Sequence, residues 1–349
     1  MNIIEFAKSL NLSIGTVSRA LNDRPEVSAK TRERVLRKAR EVGFVPNANA
    51  RRLVLGRNYL LRLACPDNLS VLSDQYLVQI ARAVEKAAAQ NGYDLLFRLS
   101  SDHQPRLDLD RNTIDGQVLV VAADATAEHI AELTGNGAMP TAVICGPGLP
   151  DFEGGNCAFV SVNTLVGVEE AVSLLVEYGH RRIGFIGTDE TGRAVSDHFP
   201  EIVRRHGLSW SDDLAIEAGF SSTGGAEAAI RLLQLPSPPT AIVTRVDMLA
   251  VGAIHGAYSL GLKVPEDVSI IGHDDVEIAS LTFPPLTTVR IDTESVGHRA
   301  VTALLDMLDR QMDPCVVMVN AHIVRRGSAG PAPQAPPFPP LRSGEGVGG

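Results

Sequence analysis

Within seven residues, Ser13, Thr16, Ser18 and Arg19 gather three hydroxyls and a guanidinium near the start of a short segment with helical periodicity. The first turn of a helix leaves backbone N–H groups unpaired and carries the positive end of the helix dipole. Hydroxyls and a guanidinium placed there suit phosphate oxygens or the edges of guanine, a reading preferred here over a merely solvated face. Asp274-Asp275 is a second candidate, able to imitate a catalytic carboxylate pair, although adjacent residues usually point apart. A third, GFIGTDETGR, places glycines after an apolar run without the G-x-G-x-x-G spacing, and neither a P-loop lysine nor a G-x-S-x-G elbow occurs elsewhere. Cys65, Cys145, Cys157 and Cys315 lie far apart with no C-x-x-C pair, which reads as reduced buried thiols rather than a zinc site or a disulfide framework. No metal, cofactor or enzymatic activity is expected.

The hydroxyl cluster needs a scaffold, and the first 45 residues supply one. Asn2 followed by Glu5 starts a helix whose Ile3, Phe6, Ala7 and Leu10 share a face. Asn11-Leu12 breaks it, and Ser13 caps a second helix, SIGTVSRALN. There Ile14, Val17, Ala20 and Leu21 are spaced for burial, and Gly15, Thr16, Ser18 and Arg19 face elsewhere. This is a helix-turn-helix. Ser28 caps a third helix running to Val42 and ending at Gly43, with Val35, Leu36, Ala39 and Val42 closing the small core. The next segment, PNANARRLVLGR from Pro46 to Arg57, has helical propensity but is too short to hold a helix alone in water, so it folds conditionally.

Charge divides along the same boundary. Of the net −9, residues 1–58 hold 12 Lys and Arg against 5 Asp and Glu, a balance of +7, which leaves 20 against 36, or −16, for the rest. A basic head on an acidic body fits a head that meets a polyanion. With 349 residues the chain exceeds what one hydrophobic core usually serves. No run of about 18 apolar residues suggests a membrane span, and MNIIEFAKSLN does not read as a signal peptide, so the expected location is the cytoplasm.

From Tyr59 onward, short β-rich runs alternate with helices, the pattern of parallel sheets covered on both faces. LLRLAC, DLLFRL, QVLVVA and TAVICG form one series. FVSV, RRIGFIG, AIEAGF, TAIVT and VSIIG form a second, and the repetition predicts two similar lobes with a cleft between them. Gly92, Gly179, Gly207 and Gly261 sit where helices give way to strands. The last 23 residues, Gly327 to Gly349, include six Pro and six Gly and read as a disordered tail. The layout is thus a helix-turn-helix domain over 1–45, a hinge over 46–58, a two-lobed domain over 59–326 and a tail over 327–349.

NLSIGTVSRALNDRPEVSAKTRERVL, then GFVPNANARRL, GHRRIGFIG, GLKVPEDVSIIGHDD and FPPLTTVRIDTESVG resemble the LacI/GalR family of transcription regulators, a likeness running from residue 2 to about 326. The resemblance implies an α/β protein: a small all-α head and hinge, then a two-lobed domain of parallel sheets flanked by helices, like periplasmic sugar-binding proteins. It implies a repressor acting as a homodimer on double-stranded, near-palindromic operator DNA under a small-molecule effector, a sugar or sugar derivative. No leucine heptad follows Ile323, so the tetramerising tail of some relatives is not expected.

By the same resemblance, the helix from Ser13 to Asn22 reads DNA. Ile14 and Gly15 stand at the two variable base-reading positions, and Ser13, Thr16, Ser18 and Arg19 contact backbone and bases. Ile14 equally fits a core position, and Gly15 offers no side chain. In the hinge the DNA contacts are Asn47, Ala50, Arg51 and Leu53, with Leu53 as the minor-groove wedge. Val54 departs from a frequent basic residue.

In the body, Asp274 matches a residue that reaches sugar hydroxyls and Phe220 an aromatic against the sugar, while Asp67, Asn68 and Arg193 are further cleft candidates. Asp247 reads either as a ligand contact or, preferably, as the N-cap of its helix. Val195, Val246 and Asn163 stand where sugar-responsive members hold Arg, Asn and Asp, so the pocket is expected to be less polar than usual. The alternatives are a regulator answering to a non-sugar ligand or, more remotely, a sugar-processing enzyme or a binding protein of similar fold.

Overall fold

A computed structural model describes residues 3–21, 26–44, 57–65, 74–98, 113–121, 125–135, 139–146, 155–188, 194–309 and 315–334. The chain divides into two compact units, Met1–Tyr59 and Leu60–Gly349.

The first unit contains α1 (Ile3–Ser9), α2 (Ile14–Leu21) and α3 (Ala29–Val42). Asn11, at φ 52°, turns the chain between α1 and α2. Ser13 Oγ accepts from Thr16 N at 3.1 Å and caps α2, Ser28 accepts from Thr31 N to cap α3, and Gly43 ends α3 at φ 62°. Phe6, Ala7, Leu10, Val17, Ala20, Val27, Val35, Ala39 and Phe44 form the core, with Phe6 stacked on Phe44 at 4.1 Å between ring centroids. Leu36 and Val42 were expected in this core and are exposed. Three short helices leave α3 one narrow buried stripe, Val35 and Ala39, and the ring of Phe44 fills the end of the core. The segment Pro46–Arg57, expected to fold conditionally, lies outside the described residues but for Arg57.

The second unit begins with β1 (Leu60–Ala64), α4 (Gln75–Gln90), β2 (Asp94–Arg98), β3 (Gly116–Val120), α5 (Ala127–Thr134), β4 (Thr141–Cys145) and β5 (Cys157–Asn163). It continues with α6 (Thr164–Glu177), β6 (Ile183–Thr188), α7 (Ala194–Arg205), β7 (Ala215–Ala218), α8 (Ser222–Leu233), β8 (Ala241–Thr244), α9 (Asp247–Ser259) and β9 (Ser269–Asp274). It ends with α10 (Glu277–Leu281), β10 (Thr287–Arg290), α11 (Thr293–Leu308), β11 (Val316–Asn320) and β12 (His322–Val324). Two six-stranded sheets result, in the orders β11-β5-β4-β3-β1-β2 and β12-β10-β9-β8-β6-β7. Neighbours pair in parallel, apart from antiparallel β10 and β12. Gly92, Gly179, Gly207 and Gly261 all take positive φ at the ends of helices, as expected for left-handed caps. No described helix is long and apolar enough to cross a membrane.

Two expectations are corrected. FVSV, read as opening the second series, is β5 and pairs with β4 and β11 in the first sheet. It is buried on both faces, a pattern that suits the interior of either sheet, and only its neighbours decide which. The tail does not begin at Gly327, because residues 327–334 pack on the second sheet. Ser328 is fully buried, its Oγ donating to Ile270 O and accepting from Thr287 N at 2.8 Å. Gly330 N donates to Ser269 Oγ at 3.0 Å, while Gly330 O lies 3.1 Å from Nε2 of the buried His180. Composition suggested disorder, and these buried hydrogen bonds outweigh it over eight residues.

The lobes exchange chain at three places. The carboxyl end of β5 runs straight into α6, which packs on β10 and β12; β10 leads into α11, which returns to β3, β4, β5 and α4; and β11 passes through Ala321 into β12. The carboxyl ends of the two sheets therefore face each other, and a crevice at such ends is where α/β sheets bind ligands.

Candidate functional site

On α2 the sequence places polar groups where they remain accessible. Ser13, Gly15 and Arg19 are exposed, and Thr16 and Ser18 are half-buried. Ser13 Oγ lies 2.8 Å from Thr16 Oγ1 besides capping the helix. Val17 and Ala20 take the buried stripe. Ile14 is 45 % exposed, so the alternatives left for it resolve to the surface: the residue starts the helix, ahead of the point where α2 meets the core. The guanidinium of Arg19 lies over Gly15, where an added Cβ would stand 3.5 Å from Nη1. The missing side chain at Gly15 thus leaves room for Arg19 to lie along the helix toward its N-terminus. The hinge candidates Asn47, Ala50, Arg51 and Leu53 lie outside the described residues.

In the second unit, Asp274 ends β9 with φ 99° and Asp275 follows at φ 53°. Two successive left-handed residues other than glycine cost on the order of 1–3 kcal/mol each, and such strain gathers at functional sites. The pair points apart, as adjacent residues should. Asp275 Oδ1 accepts from Arg326 Nη2 at 2.6 Å and its Oδ2 from Arg290, which makes it a structural anchor. Asp274 Oδ1 instead meets His273 Nδ1 at 2.8 Å. A carboxylate only accepts, so His273 Nδ1 carries the proton and Nε2 the lone pair. Burial holds the imidazole below its ordinary pKa and keeps it neutral, although Asp274 pulls the other way. His273 is 1 % exposed, and its Nε2 has no partner among the described residues.

Arg245, which follows β8, brings Nη1 to 3.5 Å from the same His273 Nδ1, an approach of two donors rather than a bond. Its buried Nε also lacks a partner among the described residues. From the first lobe comes Asp74, the N-cap of α4, whose Oδ1 accepts from Tyr76 N at 2.9 Å and Leu77 N at 3.4 Å. Burial first, and then the charge of Asp274, push the Asp74 carboxyl up to about 6; the same two causes raise the hydroxyl of half-buried Tyr76 above its ordinary range. Asp74, Tyr76, Arg245, His273 and Asp274 thus converge on one cleft.

Asp247 is not the N-cap of its helix. Val246 holds the cap position, and Asp247 is the first helical residue, 1 % exposed. Its Oδ1 accepts from Thr288 Oγ1 at 2.5 Å and its Oδ2 from Val276 N at 2.8 Å, which ties α9 to β10 and to the loop that carries Asp274. A Cβ at Gly272 would stand 2.2 Å from that Oδ1, so only glycine leaves space for the carboxyl. Burial, then Asp274, hold this carboxyl well above the usual range.

Phe220 follows β7 and is half-buried against the second lobe's core. Asp67, Asn68 and Arg193 lie outside the described residues. Val195 and Val246 are buried and bring no polar group to the cleft. Beside them, Asp74, Arg245 and His273 supply polar groups that the sequence alone did not single out. The signal was available: Asp74 stands ahead of a capped helix, and Arg245 and His273 stand at the carboxyl ends of strands. Cys145 and Cys157 are buried thiols pushed up by burial to about 12 and about 11, while Cys315 is half-buried. No group of His, Cys, Asp or Glu among the described residues could hold a metal ion.

Residues 2–47 match the bacterial regulatory proteins of the lacI family, and residues 172–329 match a periplasmic binding protein-like domain. The chain is 31% identical over 336 residues to the HTH-type transcriptional repressor CytR of Escherichia coli (strain K12), covering 93% of this chain and 95% of that one. It is similar to the transcriptional regulator CelR in its cellobiose complex, at 25% identity and a TM-score of 0.66, over 94% of this chain and 100% of that one. Its fold is also that of the lac repressor dimer bound to operator and the anti-inducer ONPF, at 23% identity and a TM-score of 0.77, over 95% of this chain and 99% of that one. A capped helix-turn-helix with a polar exposed face, a two-lobed sensor fold and a likeness spanning nearly the whole chain lead to one conclusion: this protein belongs to the lacI family of bacterial transcription regulators.

Proposed function

We propose that this regulator binds a near-palindromic operator as a homodimer, with α2 in the major groove and Leu53 in the minor groove, and that an effector between the lobes sets operator affinity. The observation that carries the proposal is a cleft at the carboxyl ends of the strands where Arg245 Nε and His273 Nε2 are buried with no partner among the described residues, in a chain whose head presents hydroxyls and a guanidinium on a capped helix. Carboxylate oxygens at Asp74 and Asp274 accept from hydroxyls, Arg245 donates to them, and Phe220 offers an aromatic face, which together suit a carbohydrate or another hydroxyl-rich molecule. Asp67, Asn68 and Arg193 are proposed to complete this lining. The cellobiose complex of CelR supports the carbohydrate reading, and the operator-bound lac repressor dimer supports the assembly. An exposed apolar patch also favours self-association: Leu281 is 73% and Phe283 88% exposed, beside Tyr258, whose hydroxyl donates to Phe283 O at 2.8 Å.

The test is a thermal-shift screen of the full chain against sugars, sugar phosphates and nucleosides, then operator titrations with each hit. The operators carry either two half-sites or one half-site and a scrambled copy. An effector is expected to change affinity by about 5–150-fold, and scrambling to abolish tight binding. A cleft ligand that leaves operator affinity unchanged, or equal binding to both operators, overturns the proposal.

The head has its own prediction. Arg19→Ala is expected to cost about 1–3 kcal/mol of operator binding by gel-shift titration without lowering the head's melting temperature, since the guanidinium is exposed. Unchanged affinity would place the α2 face away from DNA.

A further inference from the structure

We infer that the effector of this regulator carries an anionic group, a carboxylate or a phosphate, and that Arg245 is the residue that binds it. The inference rests on the cleft reading above and narrows its ligand from any hydroxyl-rich molecule to an acidic sugar.

Strands β9, β8 and β6 are neighbours in the second sheet. Arg245 directly follows β8, and its backbone N–H donates to Ile186 O of β6 at 2.9 Å, which fixes the residue near the carboxyl ends of both strands. The buried side-chain atoms that lack a partner among the described residues of the second unit gather around this end. They are Arg245 Nε, Nε2 of His273 in β9, and Oγ of Ser196 in the first turn of α7, the helix that follows β6. Buried polar groups are almost always hydrogen-bonded, so orphans that share one end of a sheet point to a molecule that satisfies them. The charge of Arg245 is also felt at Asp74 and Tyr76 of the first lobe, which places the guanidinium on the side of the cleft.

A guanidinium cannot shed its charge, so the half-buried Arg245 calls for an anion. Among the described residues no carboxylate forms an ion pair with it. Asp274 is the obvious partner, and His273 stands in the way. Asp274 Oδ1 meets His273 Nδ1 at 2.8 Å, and the same nitrogen lies 3.5 Å from Arg245 Nη1. The imidazole N–H therefore takes the carboxylate oxygen and leaves Arg245 facing a donor. The other carboxyls of the region are engaged as well. Asp275 is held by Arg290 and Arg326, Asp247 by Thr288 and the N–H of Val276, and Asp74 by the first turn of α4.

The ligand that fits is bipolar. An anionic group pairs with the planar fork of Arg245, whose N–H groups match two oxygens of a carboxylate or a phosphate. Asp274 Oδ2 has no donor among the described residues and repels a second anion, so hydroxyls of the same molecule face it. A neutral polyol satisfies Asp274 and leaves the guanidinium without a counter-ion. A sugar acid or a sugar phosphate satisfies both.

The experiment uses the full chain as wild type, Arg245→Met and Arg245→Lys. Methionine keeps the apolar stem of the arginine and removes its charge. Without ligand and at fixed ionic strength, Arg245→Met is expected to melt at or above the temperature of wild type, because an apolar side chain in place of an unpaired buried charge is neutral or stabilising. A clearly lower melting temperature means that the guanidinium already has its anion within the chain, and overturns the inference. Calorimetric titrations then compare glucose with glucuronate and glucose 6-phosphate, and galactose with galacturonate and galactose 6-phosphate. At least one acidic sugar is expected to bind about tenfold or more tighter than its neutral parent, through charge-assisted bonds that the parent lacks. Whether the carboxylate or the phosphate form gains separates the two kinds of anion. The preference should vanish in Arg245→Met and survive in part in Arg245→Lys, which keeps the charge without the fork. A neutral sugar that binds as tightly as its acidic forms, or a preference that persists in Arg245→Met, overturns the inference and leaves the cleft reading standing. Silence from all of these sugars overturns it too, while a nucleoside hit in the thermal-shift screen would still keep the cleft.

Discussion

Gly252→Ala is expected to destabilise the second lobe by about 3 kcal/mol or more, a loss of about 6–12 °C in melting temperature, even though it adds a single methyl group. The reason is the crossing of α8 and α9. A Cβ at Gly252 would stand 2.0 Å from Ser222 O, one at Gly225 2.3 Å from Leu249 O, and one at Gly256 2.7 Å from Ala226 O. These are backbone atoms that no rotamer change can move aside, so one helix must shift off the other. Both helices are anchored, α8 on β6 and β7 and α9 on β8 and β9, so the shift loosens packing on the sheet as well. It also reaches the cleft, because Asp247 starts α9 and holds the loop that presents Asp274. Gly219→Ala is the control: nothing lies within 4 Å of its Cβ position, and its melting temperature should stay near that of wild type. Calorimetry of both variants decides the matter, and equal melting would mean the helices cross with slack.

Leu53→Ala is expected to weaken operator binding by about 2–3 kcal/mol, or about 30–150-fold, while the protein melts as wild type does. An apolar wedge in the minor groove offsets the unstacking of a base step and holds the kink that lets more of the protein meet the DNA. Alanine is too short to fill that step. The effect should therefore concentrate at the centre of the operator: changing the central step to a stiffer one should cost wild type affinity and leave Leu53→Ala nearly indifferent. Gel-shift titrations on both operators measure this. Wild-type affinity in Leu53→Ala would refute the wedge.

Much of the head was legible because its determinants are local. Ser13, Ser28 and Gly43 cap helices through bonds to residues three or four positions away, and the positive φ at Gly92, Gly179, Gly207 and Gly261 follows from each glycine's own place behind a helix. The runs that became strands were equally readable, since burial of β3 and β4 on both faces requires unbroken apolar sequence. The family was legible as well, because its motifs are contiguous. Leu36 and Val42 were misjudged for one reason: helical spacing shows which residues share a face, and not how far a three-helix core extends along it.

The sequence by itself determined the capped helices, the β-rich runs, the polar face of α2 and the contrast between a basic head and an acidic body. Only the tertiary structure decided that β5 and β11 belong to the first sheet and that α11 returns to it, because a strand apolar on both faces fits either sheet until its neighbours are known. Only the tertiary structure took Asp247 from a helix cap to a buried tie between α9, β10 and the Asp274 loop, and bound residues 327–334 to the second sheet against the indication of their composition. It also brought Asp74 within reach of the charge of Asp274, about two hundred residues away along the chain. Caps and periodicities act over one or two turns of chain, whereas the cleft forms where two sheets point their carboxyl ends at each other. No window of sequence contains both of its walls.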